Sequence, residues 1–193
     1  MNDSQFVKPE YFDDLKPDEA KFLLEHAEKQ LKETLDANTQ VVTRTTTLLT
    51  ICVGLMVGLV GFSINRVEKL SKPDALLLTA IGSFLYLMII AYKLSKNIRP
   101  NEYHSVGAEP KEFFVPSMFK PTITERLKCI YINEIESYQE RIEKNKKLNN
   151  DRWAEFTSCL NLFLWSPVVF VGLYAIFSLF CLCSSTAENH YPS

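Results

Sequence analysis

The sequence predicts an all-α integral membrane protein with three transmembrane helices and a cytoplasmic helical stalk. Three observations predict it. The chain holds three long uncharged or nearly uncharged apolar runs, an amphipathic helix pattern feeds directly into the first and third of them, and lysine and arginine crowd one side of the spans. The resulting segments are a cytoplasmic region over residues 1–44, a transmembrane hairpin over 45–94, a cytoplasmic loop and long helix over 95–157, a third span over 158–183 and a tail over 184–193.

The first span, TTTLLTICVGLMVGLVGFSI, covers residues 45–64 without a charge. The second, ALLLTAIGSFLYLMIIAYKL, covers residues 75–94, and its only charge, Lys93, lies where it can snorkel to headgroups. A hydrocarbon core of ~30 Å requires about 20 helical residues, and all three runs reach that length. The third is longer than required and contains Pro167, which removes an intrahelical hydrogen bond and predicts a kink. Trp165 lies inside that run, away from any interfacial belt, and is expected to pack on a neighbouring helix.

Orientation follows from the basic flanks. Lys29, Lys32, Arg44, Lys93, Lys96, Arg99, Lys144, Lys146, Lys147 and Arg152 share one side, whereas Arg66, Lys69 and Lys72 occupy the hairpin on the other. Ten cations against three place the N-terminus in the cytoplasm and the C-terminal tail outside, in a multi-pass protein of the cell inner membrane. The opening residues, MNDSQFVKPEYFDD, lack a basic region followed by an apolar stretch, so no cleavable signal peptide is expected.

The first amphipathic pattern begins after Pro17, a good first-turn residue, with Asp18 and Glu19 at the positive helix end. Ala20, Leu24, Ala27, Leu31, Leu35, Asn38 and Val42 recur every three or four residues and make one stripe. The second begins at the capping-box spacing Thr122 to Glu125 and carries Leu127, Tyr131, Ile135, Tyr138, Ile142, Asn145 and Asn149. Neither helix is apolar enough to be buried all round, so each needs a partner. The two are expected to pair, coiled-coil fashion, through Leu24, Leu31, Ile135 and Ile142. Asn145 and Asn149 interrupt the seam, either to set register as buried polar residues do or because they are exposed near headgroups.

Residues 97–121 form a proline-rich loop without periodicity. Its Phe113, Phe114, Met118 and Phe119 are expected to cover the helix bundle. Tyr103, His104, Glu109 and Lys111 cluster about a turn and form the candidate ligand-binding group; the bland alternative is a loop clamped onto the stalk.

Catalytic chemistry is not expected. The phosphate loop, nucleophile elbow, HExxH and dinucleotide fingerprint are all missing from the sequence, and His26, His104 and His190 lie far apart without a ligand at metal-binding spacing. The expectation is therefore no enzyme, no cofactor and no metal site. Five cysteines show no CxxC pair, and a net charge of −2 points away from nucleic acid. No ionisable residue lies in the interior of a span, as an ion-coupled transporter would require.

The first span carries one further pattern. Thr43, Thr46, Thr50, Gly54, Gly58, Gly61 and Asn65 recur at three or four residues, with Gly54 and Gly58 forming GxxxG. Small residues let helix backbones approach closely. The stripe either packs on Thr79 and Ser83 of the second span or forms a self-association face, running from Thr46 to Asn65, that lines a pore in a homo-oligomer.

The layout over residues 18–151, with the hairpin GFSINRVEKLSKPD, resembles the SLATT-type membrane effectors of bacterial nucleotide-signalled antiphage systems. Members have a cytoplasmic helix, a two-span hairpin and a second cytoplasmic helical segment; the third span lies beyond that pattern. The resemblance implies pore formation or membrane disruption when a cytoplasmic sensor protein or nucleotide signal acts on the soluble part. The residues themselves also allow a non-catalytic scaffold or accessory subunit that recruits a soluble partner to the bilayer.

Overall fold

The structure, a computed structural model, describes residues 14–67, 75–99, 103 and 123–188. Among them are three helices: α1 (Pro17–Val67), α2 (Ala75–Ile98) and α3 (Ile123–Glu188). Pro17 opens α1 where its missing N–H is not needed. The backbone N–H of Lys16 donates to Glu19 Oε2 at 2.9 Å, the return half of a capping box. All three helices are long and apolar enough to cross a membrane.

Their surfaces explain why. Only 11, 22 and 6% of the most apolar stretch of α1, α2 and α3, respectively, is buried within the chain. Val53, Val57, Phe62, Leu85, Ile89, Val168, Val171 and Phe180 all stand exposed. In water each such side chain left uncovered forgoes ~1.5–3 kcal/mol of burial. Hydrocarbon removes that penalty, so this surface suits lipid.

The chain divides into two compact units. Unit 1 comprises Met1–Gln40 and Asn101–Asp151. Its core is Ala27 and Leu31 of α1 against Tyr138 and Ile142 of α3, with Leu24 at the margin. Leu31, Ile135 and Ile142, three of the four residues expected to pair, are buried. Leu24, the fourth, is half-buried, as are Asn38, Val42 and Tyr131 of the expected stripes. Leu127 is exposed, and Leu35 of α1 is half-buried while Thr34 takes the inward place.

That one-residue difference has a physical cause. The buried positions of α1, Ala20, Ala27, Leu31, Thr34, Val41, Thr45, Leu48 and Cys52, fit a strict alternation of steps of four and three, with the half-buried Leu24 and Asn38 filling its two remaining places. That alternation is the heptad pattern. The expected stripe took two steps of four in succession, at Leu31 and Leu35. A heptad seam keeps one face toward its partner, whereas a 3.6-residue stripe drifts off it. On α3 the same alternation runs from Ile135 through Tyr138, Ile142, Asn145, Asn149, Arg152, Phe156 and Cys159, all buried.

Unit 2 comprises Val41–Pro100 and Arg152–Ser193. All three helices contribute to its core: Leu48 and Cys52 from α1, Leu87, Ile90, Ala91 and Leu94 from α2, and Phe156 and Cys159 from α3. Tyr86 bridges α2 and α3, its hydroxyl donating to the Leu162 carbonyl at 2.8 Å. Its ring meets Phe170 edge to face, with centroids 6.2 Å apart. Polar groups in apolar surroundings are satisfied locally: the hydroxyls of Thr45, Thr46, Thr47, Thr50, Ser63 and Thr79 each donate to the carbonyl four residues before.

Trp165 corrects an expectation. It is 63% exposed and packs on no helix core. The inward face of α3 passes through Phe163, Ser166 and Phe170, and Trp165 lies ~100° around the helix from Ser166. Pro167 lies within α3, which continues on both sides of it.

The close helix approach is made by Gly82, on α2. A Cβ there would lie 3.2 Å from Leu173 Cδ1 and 3.6 Å from Phe177 Cε2 of α3. Gly82→Leu is therefore expected to destabilise the α2–α3 pair by ~1–3 kcal/mol, the usual cost of overpacking. The check is the thermal unfolding midpoint in detergent, with Gly172→Leu, where a Cβ meets nothing within 4 Å, as the comparison that carries the same propensity change without the overpacking.

Candidate functional site

Two groups of residues carried functional expectations, and they lie in different units. In unit 1, Tyr103 is half-buried and its hydroxyl donates to Asn149 Oδ1 at 3.1 Å. His104, Glu109 and Lys111 lie outside the described residues, as do the loop aromatics at 113, 114 and 119. What Tyr103 joins is a polar network inside the apolar seam. Asn149 Nδ2 donates to the Thr34 carbonyl at 2.7 Å, and Asn145 Nδ2 to Thr34 Oγ1 at 3.4 Å. The Thr34 hydroxyl in turn donates to the Leu31 carbonyl at 2.7 Å.

Of the two readings open for the asparagines, exposure does not occur: Asn145 is 0% and Asn149 5% exposed. Thr34 was missed because a threonine in a water-facing helix carries no apolar signal. Its signal was positional, since it occupies the heptad place across from two asparagines that need partners. Asn149→Ala removes its bonds to Thr34 and Tyr103 at a buried position. Unit 1 is expected to lose ~1–3 kcal/mol, read as earlier unfolding by hydrogen exchange at residues 24–34 and 138–149.

In unit 2, the span-one stripe is built on one face of α1. Thr46, Thr50, Gly54, Gly58, Gly61 and Asn65 are all exposed, as is Thr43. Among the described residues, no heavy atom lies within 4 Å of a Cβ built on Gly54, Gly58 or Gly61. At ~100° per residue, the centre of this stripe falls on the side of α1 opposite the seam residues Thr45, Leu48, Cys52 and Leu59. The close packing of the stripe on Thr79 and Ser83 is not formed. Thr46 and Thr50 donate into their own helix, so what the face offers a neighbour is close backbone approach and hydroxyl lone pairs.

A third group escaped the sequence reading. Where the apolar part of unit 2 begins, Asn97 and Arg152 are buried. Asn97 Nδ2 donates to the Arg152 carbonyl at 3.1 Å, and Arg152 Nη2 to the Arg99 carbonyl at 2.7 Å. Alongside, the Arg44 guanidinium lies 5.2 Å from the centre of the Trp153 ring. In the sequence Arg44, Arg99 and Arg152 enter only as orientation signals in a charge count, and a count has no geometry.

A scan against protein-family models gives no match for this chain, and neither curated proteins nor solved structures give one.

Proposed function

We propose that this chain is a membrane effector that self-associates within the inner membrane through the Thr46–Asn65 face of α1 and permeabilises or perturbs the bilayer. Unit 1 is the part that receives the signal or partner, and the N-terminus is cytoplasmic. Bacterial antiphage defence is the setting that the resemblance to SLATT-type effectors implies.

One observation carries the reading: the three glycines of span one lie on a face that nothing among the described residues of their own chain covers. A lipid-facing position has no need of glycine, which costs a helix ~1 kcal/mol against alanine in aqueous hosts. Neighbouring lipid-facing positions of α1 carry Val53, Val57 and Val60 instead. A face of small residues gains its stabilisation from a second helix brought close, through dispersion contacts. A passive anchor has no use for it.

The test is purified protein in mild detergent, sized by light scattering, and the same protein in vesicles loaded with a fluorescent dye. An oligomer with dye release supports the effector. A monomer that inserts and leaves the dye enclosed supports the scaffold reading instead. Topology is checked separately in whole cells, with His190→Cys as the single reactive thiol in a background whose five native cysteines are replaced by serine or alanine. A membrane-impermeant maleimide is expected to label it from outside; protection there, with labelling after lysis, would place the tail inside and remove the three-span arrangement.

A further inference from the structure

Arg44, Lys93, Lys96, Arg99 and Arg152 gather at one end of unit 2, from all three helices. The contacts of Arg44 with Trp153, of Arg152 with Arg99 and of Asn97 with Arg152 bring the three arginines around residues 152–153 of α3. Lys93 and Lys96 lie on the last turns of α2, next in sequence to the buried Leu94 and Asn97. Two of the cations are held by aromatic rings: Arg44 over Trp153, and Lys96 Nζ 4.7 Å from the centre of Tyr92. Arg44, Lys93, Lys96 and Arg99 are exposed, and the carboxylates in the same short stretches are Asp151 and Glu155. On α1 the continuous exposed apolar surface begins at Ile51, two turns past Arg44, and on α2 it ends at Tyr92, one residue before Lys93.

We propose that this collar binds the phosphodiester headgroups of anionic phospholipids in the cytoplasmic leaflet. The proposal rests on the membrane-spanning reading above. A general helix-end or orientation role asks only that the cations be present. Here two of them are parked on rings, which lowers the conformational freedom each loses on meeting a phosphate, and the rings themselves suit the headgroup level. Arg99 and Arg44 can each present a guanidinium fork to two phosphate oxygens, and the two lysines add point charges. The collar is the place where an anionic headgroup finds both charge and an apolar wall for its acyl chains.

The chain has two tryptophans, so Trp165→Phe leaves Trp153 as the reporter inside the collar. The full chain carrying Trp165→Phe is reconstituted in phosphatidylcholine vesicles containing either brominated phosphatidylglycerol or brominated phosphatidylcholine at equal mole fraction. Excess quenching of Trp153 by the anionic lipid is expected. Each cation changed to glutamine among Arg44, Lys93, Lys96 and Arg99 should lower the enrichment by up to about fivefold, the equivalent of ~1 kcal/mol per cation near an anionic surface. The pair Arg44→Lys and Arg99→Lys should retain most of it. Free glycerol phosphate should not displace the quencher, because it brings no acyl chain.

Equal quenching by the two lipids, or an excess that survives all four glutamine changes, overturns the collar. Displacement by free glycerol phosphate overturns the lipid as occupant. Failure of the protein to float with vesicles of either composition would instead remove the spanning reading, so the two failures are distinguishable.

Discussion

Gly58→Leu is expected to abolish self-association and dye release while leaving the folded single chain unchanged. A Cβ on Gly58 meets nothing within 4 Å, so leucine there displaces no neighbour in its own chain, and helix propensity gains ~1 kcal/mol. In an assembly the same side chain stands where the partner helix must lie and forces the backbones apart. Because Thr46 and Thr50 already donate into their own helix, the loss is chiefly one of close packing across the interface. Helical content should match the parent, and light scattering should read the monomer. If Gly58→Leu keeps both oligomer size and dye release, the Thr46–Asn65 face is not the association surface. Gly82→Leu is the informative contrast, since its overpacking lies within the chain and should lower the midpoint directly.

Leu31→Asp is expected to unfold unit 1. Leu31 is fully buried against Tyr138 and Ile142, and a carboxylate there would sit among apolar side chains. Burying an uncompensated charge costs several kcal/mol, comparable with much of the stability of a small domain. Limited proteolysis should then cut within residues 17–40 and 123–151, while the apolar helices remain protected in detergent. Phe22→Asp, on the exposed side of the same helix, should leave the pattern unchanged. Equal resistance of Leu31→Asp and Phe22→Asp would show that the two helices do not pair through this seam.

Much of the helical plan was legible because its signals are local. Length and lack of charge mark three helices able to cross a membrane. Pro17 with Asp18 and Glu19 marks the start of α1, and the Glu19 carboxylate closes that start by reaching back to Lys16. Periodicity identified the paired faces, since an apolar residue every three or four positions is a property of one helix alone. The small-residue stripe of the first span was legible for the same reason. Its partner was not, because a stripe records what a face can approach and holds no information on where the remaining helices lie.

What the tertiary structure decided is of another kind. Thr34 rather than Leu35 points inward because two helices in prolonged contact settle on the 3.5-residue step, and because Asn145 and Asn149 require acceptors at that level. Gly82, with little to distinguish it in the sequence from Gly54, is the glycine that α3 presses against. Trp165 faces outward, since the seam of α3 passes one residue away from it. The convergence of Arg44 on α1, Arg99 just past the end of α2 and Arg152 on α3 exists only once those helices are side by side. Sequence alone determines which helices form and which faces they could bury; the choice among those faces is a property of pairs of helices, set by packing distance and by which buried polar groups find partners.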